Sequence, residues 1–119
     1  MKLRQVSFPA GGAMSVLGED GVVRVASNPT LWIAVGGGPR LLSYSWANGG
    51  TLAGVGSDGE IYVRTTAQGG WQSLGKPGGR TAKHVDFDLN GAITAIADEG
   101  NTDAVYVYDG NNWGRYGTP

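Results

Sequence analysis

Three tryptophans, Trp32, Trp71 and Trp113, stand 39 and 42 residues apart in a chain of 119 residues, and each closes a version of the same pattern. A period of this length constrains the fold more than composition does. Each repeat must be one structural unit that buries its apolar face against a neighbour. Phe8, Trp46 and Phe87 correspond, as do Gly12, Gly50 and Gly91, then Met14, Leu52 and Ile93. Gly36, Gly75 or Gly117 follows each Trp. The repeats run over about 4–39, 40–79 and 80–119, which makes 1–119 a single β-repeat domain.

Short alternating, β-branched or aromatic runs fill each repeat. They read RQVSF, AMSVL, VVRVA and LWIAV in the first, then LLSYSW, TLAGV, EIYVRTT and WQSL in the second. In the third they read KHVDF, AITAIA, AVYVY and WGRY. Gly-, Asn- and Asp-rich turns separate them, and the Asp-Gly pairs at 20–21 and 58–59 suit two-residue type I′ hairpins. The 22 glycines argue against helices, since each one in a helix interior costs roughly 0.5–1 kcal/mol. Four Trp and five Tyr, in a chain that is 40% hydrophobic, supply a core that disordered glycine-rich chains lack. Four antiparallel strands recurring every 40 or so residues describe a β-propeller blade. The expected fold is therefore all-β, with three four-stranded blades.

Closed propellers have typically four to eight blades, so three do not close a ring. Gly36 lies 10 residues before Trp46, and Gly75 lies 12 before Phe87. From Gly117 through the chain end into the start of another copy, Phe8 is again 10 residues away. The repeat phase thus continues from copy to copy. The expected assembly is a head-to-tail homodimer forming a six-bladed ring. A chain cut from a longer propeller, or another three-repeat fold, is the alternative.

Charge excludes some partners. Nine basic and ten acidic residues leave a net charge of −1, and the basic residues form no stripe, which argues against nucleic acid. No apolar run is long enough for a membrane-spanning helix. The start, MKLRQVSF, has no hydrophobic segment behind it, so no signal peptide is expected and a cytoplasmic location is the default. Without Cys there is neither a disulfide framework nor a thiolate metal site.

The second repeat carries Trp46, Gly50, Leu52, Val55, Asp58-Gly59, Ile61-Tyr62, Arg64, Trp71 and Gly75. This pattern resembles the tectonin-type repeat of β-propeller lectins. The first repeat has Arg24 in place of the Tyr, and the third interrupts the turn with EGNTD. The resemblance implies a propeller that holds sugars at blade edges or between blades. A weaker resemblance points to the β-prism of monocot-type mannose lectins, but the Gln and Asn of that family's sugar motif are missing. The Gln-x-Trp hallmark of a β-trefoil is missing too.

No catalytic constellation stands out, and the chain reads as non-enzymatic. His84 is a lone histidine in a strand run. Asp86 and Asp88 share a strand face by period two, yet read as solvated or turn-capping groups. Glu99, Asn101 and Asp103 alternate as in a calcium loop, but the later Glu is missing and the Gly, Gly100, sits at the wrong place, so no metal or other cofactor is expected. Sugar recognition needs a flat ring to stack on C–H faces and nearby polar groups to bind hydroxyls. Trp32, Trp71 and Trp113, with Asn28, Gln68, Asp109, Asn111 and Asn112 in the adjoining loops, are the ligand-binding candidates. The competing role for these Trp residues is to wedge blades together. Phe8, Trp46 and Phe87 read as core, and the row Arg24, Tyr62, Tyr106 as blade interface. The leading function is a carbohydrate-binding ring with repeated weak sites. A protein-interaction or structural ring without sugar binding is the alternative.

Overall fold

The computed structural model describes residues 1–9, 13–65 and 70–118. Twelve strands appear where the sequence runs place them. The first sheet holds β1 (Leu3–Ser7), β2 (Ser15–Gly18), β3 (Val23–Asn28) and β4 (Leu31–Ala34). The second holds β5 (Leu41–Trp46), β6 (Leu52–Gly56), β7 (Ile61–Arg64) and β8 (Trp71–Gly75). The third holds β9 (Ala82–Phe87), β10 (Ile93–Asp98), β11 (Asp103–Tyr108) and β12 (Trp113–Gly117). Each sheet is an up-and-down antiparallel meander in chain order, so the molecule is three propeller-type blades. Beyond the strands, the described residues hold one short 3₁₀ turn, Pro77–Gly79, in the connection between blades 2 and 3.

The blades stack in sequence along an arc measuring 43 × 28 × 25 Å. The first strand of the middle blade, β5, packs against both β1 and β9, so the first strands line the inner side of the arc. Two main apolar clusters hold the stack. One joins Leu17 and Val23 of blade 1 to Leu41, Tyr44 and Leu52 of blade 2. The other joins Ala53, Val55 and Ile61 of blade 2 to Ala82, Val85 and Ala95 of blade 3. A prism would gather all three sheets around one common core. Here the cores lie between successive sheets, as in a propeller.

The β2–β3 and β6–β7 turns differ from the type I′ expectation. Gly21 N donates to Gly18 O and Gly18 N to Val22 O, which encloses a three-residue loop. Gly59 N donates to Gly56 O and Gly56 N to Glu60 O in the same way. Only the glycines carry positive φ, 81° at Gly21 and 84° at Gly59, whereas type I′ needs it at the Asp as well. The turn is instead a type I turn closed by a glycine bulge. The Asp stays right-handed and turns its carboxylate to the backbone, Asp20 accepting from Val22 N at 3.1 Å and Asp58 from Glu60 N at 3.0 Å.

These glycines also join blades. Gly21 O accepts from Leu41 N and Gly59 O from Ala82 N, both at 3.0 Å, as the next blade's first strand passes over the turn. A Cβ on Gly59 would come within 2.9 Å of Thr81 while the backbone held a left-handed φ. Gly59→Ala is therefore expected to destabilise the chain by about 1–3 kcal/mol in urea unfolding. Gly36→Ala, with open space around it, is the control and should stay within about 0.5 kcal/mol of the parent.

Candidate functional site

The recurrent Trp residues sit at the start of the last strand, or one residue into it, and reach toward the preceding blade. Trp71 packs against the cluster that joins Leu17 and Val23 of blade 1 to blade 2, and a Cβ on Gly38 would run into its indole. Its Nε1 is buried without a hydrogen-bond partner among the described residues. Trp113 donates from Nε1 to Leu74 O of blade 2 at 2.9 Å and tilts against Tyr108, ring centroids 5.1 Å apart. Trp32 has no preceding blade in this chain. It stays exposed beside an apolar hollow of about 310 Å³ shared with Met1, Leu3, Val16 and Arg24.

The polar candidates hold their own loops. Asn28 Oδ1 accepts from Thr30 N and Thr30 Oγ1, both at 2.9 Å. Asp109 Oδ1 accepts from Asn111 N at 2.8 Å and Asn112 N at 2.7 Å, and these bonds hold its carboxyl below the usual range. Asn111 and Asn112 are exposed. Gln68 lies outside the described residues, as does Gly12 of the repeat signature.

The row Arg24, Tyr62, Tyr106 is a set of staples inside the blades. Arg24 pairs with Asp20 at 2.7 Å, the Tyr62 hydroxyl donates to Asp58 at 2.6 Å, and the Tyr106 hydroxyl donates to Glu99 at 2.6 Å. Arg115 adds an ion pair to Glu99 at 3.0 Å. Each blade thus ties its central turn to its third strand through a carboxylate, although the partner changes. These bonds hold Asp20 and Glu99 at about 2 and push Tyr62 up to about 12. Asp86 and Asp88 also divide their work. Asp86, in β9, accepts from Ser45 Oγ of blade 2 at 2.8 Å. Asp88 lies beyond the strand and caps the next turn through Asn90 N and Ala92 N.

An open cavity of about 360 Å³ lies where blades 2 and 3 meet, at the ends of β5 and β9. Trp46 and Asn48 line it from blade 2, and Asp86, Phe87, Asp88 and Asn90 from blade 3. Trp46 is anchored from behind, since its Nε1 donates to Ser15 Oγ of blade 1 at 2.9 Å. Ser15 itself donates to Ser7 O and shares a hydrogen bond with the Tyr44 hydroxyl. Phe87 rests on the core between blades 2 and 3. Asn48 and Asn90 are exposed, and no described hydrogen bond engages their side-chain amides. Two fixed rings, free amides and a carboxylate thus converge on one hollow. The aromatic position read as core serves here as pocket wall. At Phe8, its blade 1 equivalent, the ring is exposed instead of core. In the sequence Trp46 and Phe87 each precede a turn signal, but so does Phe8, and nothing local shows that the turns after Trp46 and Phe87 meet.

No protein-family model and no curated protein matches the chain. Ten chains of solved structure match its fold. One is a β-propeller-like protein, YCF48 bound to D1 peptide, with a TM-score of 0.68 and 15% identity over 94% of this chain. That match spans 38% of the YCF48 chain, so this chain is much shorter. Another is a fucose lectin from Kordia zhangzhouensis in complex with methyl-fucoside. It has a TM-score of 0.46 and 18% identity, covering 96% of this chain and 98% of the lectin. At 15% identity the likeness to YCF48 is one of fold.

Asp20 and Glu99 have depressed folded-state pKa values. Their stabilising contribution is complete above the ordinary 3.8 and 4.5 and is lost as pH falls from there towards 2. The melting temperature is expected to drop across that window. In an Asp20→Asn, Glu99→Gln double variant the drop should be shallower, as thermal scans at stepped pH would show.

Proposed function

We propose that the chain is a non-enzymatic, carbohydrate-binding propeller whose ring a second copy completes, with its ligand site at the junction of blades 2 and 3. The cavity between Trp46 and Phe87 carries this reading. Sugar rings present C–H faces that stack on aromatics and hydroxyls that pair with amides and carboxylates. Asn48, Asn90 and Asp86 supply those groups around the two rings. Trp71 and Trp113 enter this reading as the wedges that fix blade spacing, and Trp32 as their counterpart on blade 1. A cavity this open gives weak single sites, and repetition around a ring raises avidity without new contacts. The second reading is a protein-interaction ring. It draws on the likeness to YCF48, which is bound to a peptide, and would place an extended segment in the same hollow.

Titration with methyl glycosides of the common hexoses, fucose and N-acetylhexosamines, followed by calorimetry and tryptophan emission, tests the proposal. Saturable millimolar or tighter binding to at least one glycoside is expected, with a change in Trp46 emission. Asn48→Ala combined with Asp86→Asn should raise Kd tenfold or more, about 1.4 kcal/mol. Absence of saturation across the panel, or binding that the double variant leaves unchanged, sinks the glycan reading.

A further inference from the structure

The two junctions inside the chain use the same positions. Leu17, Val23 and Val35 of blade 1 meet Leu41, Tyr44, Trp46, Leu52 and Trp71 of blade 2. Val55, Ile61 and Leu74 of blade 2 meet Ala82, Val85, Phe87, Ile93 and Trp113 of blade 3. The ladders fix this equivalence residue by residue. Leu3 faces Gly18, Leu41 faces Gly56 and Ala82 faces Ala97, each beside the same irregularity in its first-strand pairing. Trp32 faces Ala26, Trp71 faces Arg64 and Trp113 faces Tyr108.

Carried onto blade 1, the rear-face positions are Leu3, Val6, Phe8, Met14 and Trp32. All five are between 38 and 59% exposed, whereas Leu41, Tyr44 and Leu52 are at 2% or less. Carried onto blade 3, the front-face positions are Ile96, Val105 and Tyr116. Tyr116 is 83% exposed where its equivalents Val35 and Leu74 are half-buried. The chain therefore displays the two unmatched halves of a contact it makes twice internally. Apolar faces of this kind mark interaction surfaces.

We infer that the rear face of blade 1 docks on the front face of blade 3 of a second copy, with Trp32 seated against the partner's Tyr116. This specifies the ring closure in the function proposed above and is independent of the ligand. The occupant is a second copy because one chain carries both halves of a known interface. Made twice around a two-fold axis, the contact closes six blades, the only multiple of three in the usual range of four to eight. The junction departs from the internal ones at the β10–β11 turn, where the residues inserted around Glu99–Thr102 replace the turn that presents the Gly21 and Gly59 carbonyls. Side-chain burial therefore carries more of this contact.

Sedimentation equilibrium and light scattering on the 119-residue chain test the inference, with glycan titration as a separate readout. A finite species of twice 12.3 kDa is expected. Val6→Lys on the rear face and Ile96→Glu on the front face should each raise the dimer dissociation constant tenfold or more. Both positions are exposed in the single chain, so circular dichroism should be unchanged. Mixing the two variants should restore a dimer, since one junction is then unaltered and the other pairs opposite charges. A monomer at all concentrations shows that a second copy does not cover these faces and overturns the inference. So does a concentration-dependent ladder of larger species, which signals an open filament. A dimer sensitive to Val6→Lys but not to Ile96→Glu signals a face-to-face contact and overturns it as well. If either variant fails to fold, Leu3→Lys on the rear face and Tyr116→Glu on the front face, both exposed in the single chain, replace the pair with the same outcomes expected.

Discussion

The stacking of one blade's apolar face on the next is the interaction on which everything else rests. A single four-stranded sheet of this size has two faces and cannot bury both by itself. Blade 2 solves the problem with a neighbour on each side. It holds β6, whose five residues Leu52–Gly56 are all buried, and its two ends meet both main core clusters. The polar ties between blades follow the same seams. Gln5 reaches from β1 to Tyr44 in both directions, donating to its carbonyl at 2.8 Å and accepting from its N–H at 3.2 Å. Trp46 and Ser15, then Trp113 and Leu74, add one bond across each junction.

Much of this was legible in the residues. Twelve strands and three sheets follow from the period and the turn signals, because each repeat carries its own complete meander. Turn type was less legible. Asp-Gly supports a two-residue loop only if the Asp also takes positive φ, and the Asp20 and Asp58 carboxylates instead bond backbone N–H groups within a longer loop. The row Arg24, Tyr62, Tyr106 was hidden for another reason. What repeats there is a bond to a carboxylate, and a Tyr or an Arg can make it equally, so residue identity does not reveal the equivalence.

The candidate pocket was harder to see. Strand periodicity places Trp46 and Phe87 in an apolar context, and both do touch core. Their position at strand ends also leaves part of the pocket wall to them. Only the approach of two turns from different blades, 47–50 and 88–91, shows that the amides of Asn48 and Asn90 flank the same hollow. That approach is a tertiary fact with no local signature.

The strictly consecutive strand order also bears on how the chain reaches this arrangement. Three near-copies of one sheet in a single chain invite a strand to pair with the wrong blade. In an up-and-down meander each strand's proper partner is the next one along, separated by a short turn. Closing such loops costs little entropy, so correct hairpins form before distant copies of the same strand come within reach. The short turns that give these blades their shape thereby also act as kinetic proofreading against exchange between repeats.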